Sequence, residues 1–393
     1  MTQSSPVVGR RPSPRMVGLL CLAAAAFLSV STEMLPVGVL PDIGRAFSVD
    51  ESVTGLLVSL YAVMVAVLAV PLTLLTRRSP RKPLLLVTLV GYGLSNLLVA
   101  AAPVFAVVAV GRAVGGLTHA LFFSLLIGYA PRLVAPGHVA RALAIAAAGA
   151  SAGLVLGVPL CTSLAAALGW RAPFVVLTVV SALILTLVAV NLPDAGDDGH
   201  TGEVAPAGRR TLAGVSTANL LIFLGHFTLY TYVTVLLLRS GISPAHVGPA
   251  LLVCGACGLL GTWYVGRFLD GHPRRTVLLL YLVFVAALVV LALAWRNSTA
   301  VLIGAAVWNV AFGGVPSLFQ TAAIRSRAVS PDLAGAWTNA TSNAGIAGGA
   351  ALGAALLHST GLWILPWASA ALAGASLVVL STSRRAFGAQ VPV

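Results

Sequence analysis

The apolar residues of this chain arrive in blocks of about 20, the length a helix needs to cross the hydrocarbon core of a bilayer. Twelve such blocks follow one another. In lipid every backbone N–H and C=O must find a partner inside the protein, which leaves helices or closed barrels as the spanning structures. A barrel would alternate apolar and polar residues along short strands, and these blocks do not alternate. They predict helical spans at 16–40, 52–76, 83–101, 104–128, 138–166, 172–192, 212–238, 246–268, 276–295, 298–322, 333–357 and 361–382. Only 8% of the 393 residues are charged, against roughly a quarter in a soluble domain, so a water-covered surface is excluded. The opening MTQSSPVVGRRPSPRM resembles the basic start of a signal peptide. The apolar run behind it is too long and lacks a small-residue cleavage site, so a retained first helix is expected.

The net charge of +13 is almost all arginine, with Lys82 the one lysine. It lies in short loops, not along helical stripes with interleaved aromatics, so nucleic acid is not an expected partner. With twelve spans, the loops on the side of the N-terminus hold eighteen Arg and Lys residues and the opposite loops hold four: Arg45, Arg171, Arg239 and Arg296. Basic residues mark the cytoplasmic side. The reading is a multi-pass protein of a bacterial cytoplasmic membrane with both termini cytoplasmic.

The longest polar stretch, 193–211, is rich in Gly, Pro and Asp and divides six spans from six. The expected organisation is a cytoplasmic tail at 1–15, a six-helix bundle at 16–192, a cytoplasmic linker at 193–211, a second bundle at 212–382 and a tail at 383–393. The halves repeat. Arg81-Lys82 recurs 193 residues later as Arg274-Arg275, and Trp170 as Trp363. Gly149, Gly153 and Gly157 recur 196 residues later as Gly345, Gly349 and Gly353. The fold class is therefore an all-α membrane protein of twelve helices in two pseudo-symmetric bundles. Same-direction repeats of this kind place a substrate site between the bundles, near the midplane.

Ionisable groups within spans are costly and face a cavity or a partner. Glu33 is the one carboxylate deep in a span, and Arg112 the one guanidinium. At 1.5 Å per residue, Glu33 lies about 25 Å from the inner start of its helix and Arg112 about 12 Å from the outer start of its own. Their depths are therefore compatible. A carboxylate in a low-dielectric cavity can load and release a proton near neutral pH, and a neighbouring arginine tunes it. The bland alternative is a buried Glu33–Arg112 ion pair. His119 sits two turns beyond Arg112 on the same face. His226 occupies, at the 193-residue offset, the place that Glu33 holds in the first half. Tyr230, Tyr232, Trp308, Asn309, Asn339 and Asn343 are polar or aromatic groups in spans that either line the cavity or pack between helices.

Four-residue spacing keeps Gly149, Gly153 and Gly157 on one face, where another helix can approach closely. Pro159 adds a kink. Gly266-Arg267-x-x-Asp270-x₃-Arg274-Arg275 joins two spans, and Asp270 can take charge-assisted hydrogen bonds from arginine to latch a cytoplasmic gate. Its plain alternative is a solvated loop. Cys254 and Cys257 form a C-x-x-C inside a span, read as small residues at a helix contact. There is no phosphate-binding loop, metal-ligand cluster or nucleophile–His–acid grouping. The expectation is a protein that is not an enzyme and needs no cofactor.

These residues together resemble the major facilitator superfamily, in its drug:proton antiporter branch, and within it bacterial sugar-efflux and chloramphenicol-resistance type exporters. Thr32-Glu33-Met34-Leu35-Pro36 through Ile43 resembles the branch's first-helix motif. Gly111-Arg112-Ala113-Val114-Gly115-Gly116 resembles its fourth-helix motif, whose arginine the family implicates in proton coupling. Gly149 to Pro159 is similar to the antiporter motif that marks exporters, and Asn339 to Gly345 to an eleventh-helix pattern. The loop 71–82 lacks the acid usual before its basic residues, and Gly157-Val158-Pro159 stands where Gly-Pro is usual. The resemblance implies a monomeric secondary transporter that exports a small organic molecule against a proton gradient by alternating access. A proton-coupled or facilitative importer of a sugar-like solute is the alternative within transport, and a membrane sensor on the same fold the alternative outside it.

Overall fold

A computed structural model of the chain describes residues 14–76, 79–134, 139–192, 208–269, 271–329 and 331–382. Among the described residues all regular structure is helical, and twelve helices are long and apolar enough to span a membrane. In chain order they are α1 (Pro14–Phe47), α2 (Glu51–Leu75), α3 (Arg81–Ala100), α4 (Phe105–Tyr129) and α5, which joins Val139–Ala152, Gly153–Gly157 and Val158–Leu168. Then come α6 (Ala172–Asn191), α7 (Arg209–Tyr230 continued by Val233–Arg239), α8 (Pro244–Phe268) and α9 (Pro273–Ala294). The last are α10 (Ser298–Gly313 continued by Val315–Arg325), α11 (Pro331–Ser359) and α12 (Leu365–Thr382). All twelve expected spans are present, and the first is longer than expected at both ends. Of the linker, 193–207 lies outside the described residues, while Arg209 and Arg210 already form the first turn of α7.

Proline explains the irregularities that hydropathy does not predict. A proline inside a helix has no N–H, so the carbonyl four residues earlier loses its partner. In α1, Pro36 strips Thr32 and Pro41 strips Val37, yet the helix continues. Both carbonyls are re-bonded from other helices: Arg112 donates to Thr32, and Thr234 Oγ1 donates to Val37 at 2.7 Å. In α5 the turn Gly153–Gly157 widens to a π-helix, with Val158 N–H reaching back to the Gly153 carbonyl just ahead of Pro159. Two helices are broken: α7 at Thr231-Tyr232, toward its end at Arg239, and α10 at Gly314, just ahead of Pro316.

Each half has its own apolar core, one from Leu19 to Leu192 and one dominated by residues beyond Val215. Glycines set the closest approaches. A Cβ on Gly149, Gly153 or Gly157 of α5 would collide with the Ala23 carbonyl, the Phe27 carbonyl or Ser31 Oγ of α1. In the second half, one on Gly345, Gly349 or Gly353 of α11 would collide with the carbonyls of Leu220, Leu224 and Thr228 of α7. This packing register sharpens the repeat. It matches Ala23 with Leu220, Phe27 with Leu224 and Ser31 with Thr228, so the counterpart of Glu33 is Tyr230. The fixed offset of 193 residues had given that place to His226, which stands one turn earlier.

Toward the face opposite α1's start and α12's end, the halves are sealed together. Thr234 of α7 holds Val37 of α1, and Ser59 Oγ of α2 donates to the Ala347 carbonyl of α11 at 2.9 Å. The Tyr232 ring is wedged between Gly55 of α2 and Gly353 of α11, and its hydroxyl donates to the Ala350 carbonyl at 3.1 Å. Arg239 and Glu51 pair across the surface at 3.1 Å. The aromatic residues Trp170, Trp295 and Trp363 lie at this face, each at the end of a helix, where indoles favour the membrane–water boundary.

Candidate functional site

Between the halves a cavity of about 560 Å³ runs from Glu33 and His226 at mid-depth to Thr73, Arg81, Gln320 and Leu333 at the face that bears α1's start. Its walls come from both bundles. Glu33, His119, His226, Tyr230, Asn309, Asn339 and Asn343 all lie on it, as does Pro159. Arg112 does not: it stands behind the wall, 1% exposed.

The first-half wall is built around α1. Arg112 donates from Nη1 to the Thr32 carbonyl and from Nη2 to the Glu33 carbonyl, both at 2.7 Å. Its guanidinium also lies 4.2 Å from the centre of the Tyr61 ring. The Glu33–Arg112 ion pair weighed from the sequence is therefore absent. One of the guanidinium's two bonds fills the Thr32 carbonyl that Pro36 left open, the other joins the Glu33 carbonyl, and no ion pair forms with the Glu33 carboxylate. Asn96 Nδ2 donates to Thr32 Oγ1 at 3.0 Å, which fixes the same turn from α3.

Among the described residues, the group that stands in ion-pair range of the Glu33 carboxylate is His119, whose Nδ1 is 3.8 Å from Oε2. That same nitrogen lies 3.1 Å from both Ser29 Oγ and the Tyr61 hydroxyl. Ser29 Oγ in turn bonds the Tyr92 hydroxyl. The imidazole is stacked on Phe123 with centroids 4.8 Å apart, and meets Tyr61 edge to face. Ser29, Tyr61, Tyr92 and Phe123 were not singled out from the sequence. Tyr61 and Tyr92 carried the one available signal, a hydroxyl-bearing ring inside an apolar block.

The second-half wall is aromatic. His226 lies flat on Phe312, with centroids 3.4 Å apart and planes 5° off parallel, and Tyr230 covers it at 4.9 Å. Phe223, Phe227 and Trp308 complete the cluster. His226 Nδ1 and Asn343 Oδ1 are buried without a hydrogen-bond partner among the described residues. Orphaned groups of this kind each cost about 1–3 kcal/mol, a cost that a polar guest or water in the cavity removes. Asn343 Nδ2 is satisfied by Asn339, and Asn309 Nδ2 by its own helix.

The residues expected to serve gating fall into two groups. Gly149, Gly153 and Gly157 pack α5 on α1, as above. Gly266, Arg274 and Arg275 are exposed on the face bearing α1's start, and Asp270 lies outside the described residues. Among the described residues no group of His, Cys, Asp and Glu could hold a metal ion.

The family profile described as Major Facilitator Superfamily matches residues 22–336. The chain is 34% identical over 400 residues to a protein of Mycobacterium tuberculosis described as a chloramphenicol efflux pump, with 98% of this chain and 97% of that one covered. It is 29% identical over 364 residues to a probable sugar efflux transporter of Mannheimia succiniciproducens, covering 92% of each. Among solved structures, an inward-facing, unoccupied bacterial homologue of the human lysosomal transporter Spinster shares the fold. Its TM-score is 0.71 at 15% identity over 96% of this chain and 98% of that one. The human organic anion transporter MFSD10 does so at a TM-score of 0.69, with 18% identity over 94% of this chain and 100% of that one.

Proposed function

Because the chain belongs to the major facilitator superfamily, we propose that it exports a small organic molecule across a bacterial cytoplasmic membrane in exchange for protons. It does so as a monomer. The observation that carries this reading is the placement of Glu33, a lone carboxylate on the wall of a cavity between two bundles that is sealed at one face. Such a group can bind a proton from one side and cargo from the other only if the bundles rock about it. Glu33 carries the proton, and Arg112 acts on it indirectly, by holding the backbone of its turn. His119, His226, Tyr230, Asn309, Asn339 and Asn343 touch cargo.

The arginine asymmetry supports placing the open face of the cavity in the cytoplasm. In that orientation the structure is inward-facing, the state that loads an export substrate. The 193–211 linker joins the bundles on the same side, and Asp270 with Arg274 and Arg275 latches that side when the molecule turns outward. The names of the M. tuberculosis and M. succiniciproducens relatives make chloramphenicol and simple sugars the first cargoes to try. A cavity with one carboxylate, several amides and an aromatic wall suits an uncharged polar molecule of that size.

In inverted membrane vesicles an imposed proton gradient should drive uptake of chloramphenicol or a sugar, and Glu33→Gln should abolish gradient-driven uptake. Full gradient-driven activity in that variant would end the assignment of Glu33. Comparing inhibitory concentrations across drug classes, in a sensitive host with and without the gene, then identifies the cargo and tests the resistance role.

A further inference from the structure

We propose that the proton of this cavity is shared between Glu33 and His119, with Ser29 and Tyr61 as positioning residues that aim the imidazole at the carboxylate. The inference rests on the proton-coupled reading and deepens it, because it assigns the second half of the proton site to a residue other than Arg112.

Three oxygens converge on one nitrogen. His119 Nδ1 has Ser29 Oγ and the Tyr61 hydroxyl at 3.1 Å each, and Glu33 Oε2 at 3.8 Å. Hydroxyls both donate and accept and can turn to suit. When Nδ1 is bare, Ser29 or Tyr61 donates to it. When Nδ1 carries a proton it donates, and the hydroxyls turn to accept. The nitrogen is thus satisfied in both states, which an ordinary buried histidine with one fixed partner is not. Phe123 stacked on the ring and Tyr61 at its edge hold the plane in place.

The Glu33 carboxylate has no hydrogen-bond partner of its own among the described residues, so it is free to swing. A gap of 3.8 Å is too long for a hydrogen bond, and a small rotation of the Glu33 side chain closes it. The step is then simple: the Oε2–H bond of Glu33 breaks and the Nδ1–H bond of His119 forms, leaving carboxylate and imidazolium. No other bond changes. Glu33 faces the site from α1, Tyr61 from α2, Tyr92 through Ser29 from α3, and Arg112 from α4 itself. Arg112 is already committed to two carbonyls. The helix α11 brings amides to the cavity and no titratable group.

Infrared difference spectroscopy of the full chain in detergent, titrated from about pH 5 to about pH 9, tests this without any cargo. The protonated-carboxyl stretch of Glu33 is the signal lost in Glu33→Gln. Two groups that share a proton titrate in coupled steps, so the wild-type curve should be biphasic. In His119→Gln it should collapse to a single one-proton curve. A single curve in the wild type that His119→Gln leaves superimposable overturns the proposal. If no carboxyl band titrates in any variant, the proton-carrier reading of Glu33 itself fails, a distinct result. Should His119→Gln not fold, Ser29→Ala combined with Tyr61→Phe must remove the biphasic shape while keeping the imidazole, and retention of the shape there overturns the positioning role.

Discussion

Arg112 shows how one residue's chemistry depends on another's missing atom. Pro36 has no N–H for Thr32, and a guanidinium has donors to spare, so the two are coupled through a carbonyl. A hydrogen bond from a charged donor is worth about 1.5–3 kcal/mol. Arg112→Leu should therefore lower the detergent-state melting temperature, because two carbonyls lose their donor. Pro36→Ala restores the intrahelical bond to Thr32, so the double variant should recover part of the loss. A coupling of about 1–2 kcal/mol is expected from the cycle. Strict additivity of the two melting shifts would show that the contact is incidental. Glu33, Arg112, His119 and His226 were each legible in the sequence as polar groups stranded in apolar blocks. Their partnerships were not. Ser29 and Tyr61 belong to the ordinary stock of span residues, since a serine can bond its own helix and a tyrosine can simply pack. Which neighbour each meets depends on helix rotation, and hydropathy does not encode that.

At the scale of the element, the spans were readable because the bilayer fixes their length, and the α5 glycines because a four-residue period can only mean one face. The break in α7 was not, since Thr231-Tyr232 carries no strong helix-stop signal, whereas the break in α10 falls at Gly313-Gly314 ahead of Pro316, a signal the sequence did carry. The glycine stripe makes a contrast that can be measured. At Gly149 and Gly153 a methyl would strike the α1 backbone, which cannot turn aside, whereas at Gly266 and Gly374 nothing lies within 4 Å. Gly149→Ala and Gly153→Ala should each destabilise by about 1–3 kcal/mol through overpacking. Gly266→Ala and Gly374→Ala should melt within a degree or two of wild type. Equal melting of all four in fluorescence-detected thermal scans would refute a close α1–α5 seam.

For the whole molecule, the question is what holds the sealed face shut. The contacts there differ in kind. Thr234 to the Val37 carbonyl is buried, and it satisfies a group that Pro41 has left open. Arg239 to Glu51 is half exposed, and exposed pairs are worth about 0–1 kcal/mol and weaken with salt. Opening this face must strip the Val37 carbonyl of its donor and hand it to water, so Thr234 biases the two-state balance more than the ion pair does. Losing a bond worth about 1 kcal/mol changes a population ratio about fivefold. With the four native cysteines replaced, spin labels at Ala46 and Ala245 report the distance between bundles at this face. Thr234→Val should raise the wide-distance fraction about fivefold. Glu51→Gln should raise it by less, and the difference between Glu51→Gln and wild type should vanish at high salt. A larger effect from Glu51→Gln than from Thr234→Val would move the gate from the proline-stripped carbonyl to the surface. The prolines of α1 would then serve only the depth at which Glu33 sits.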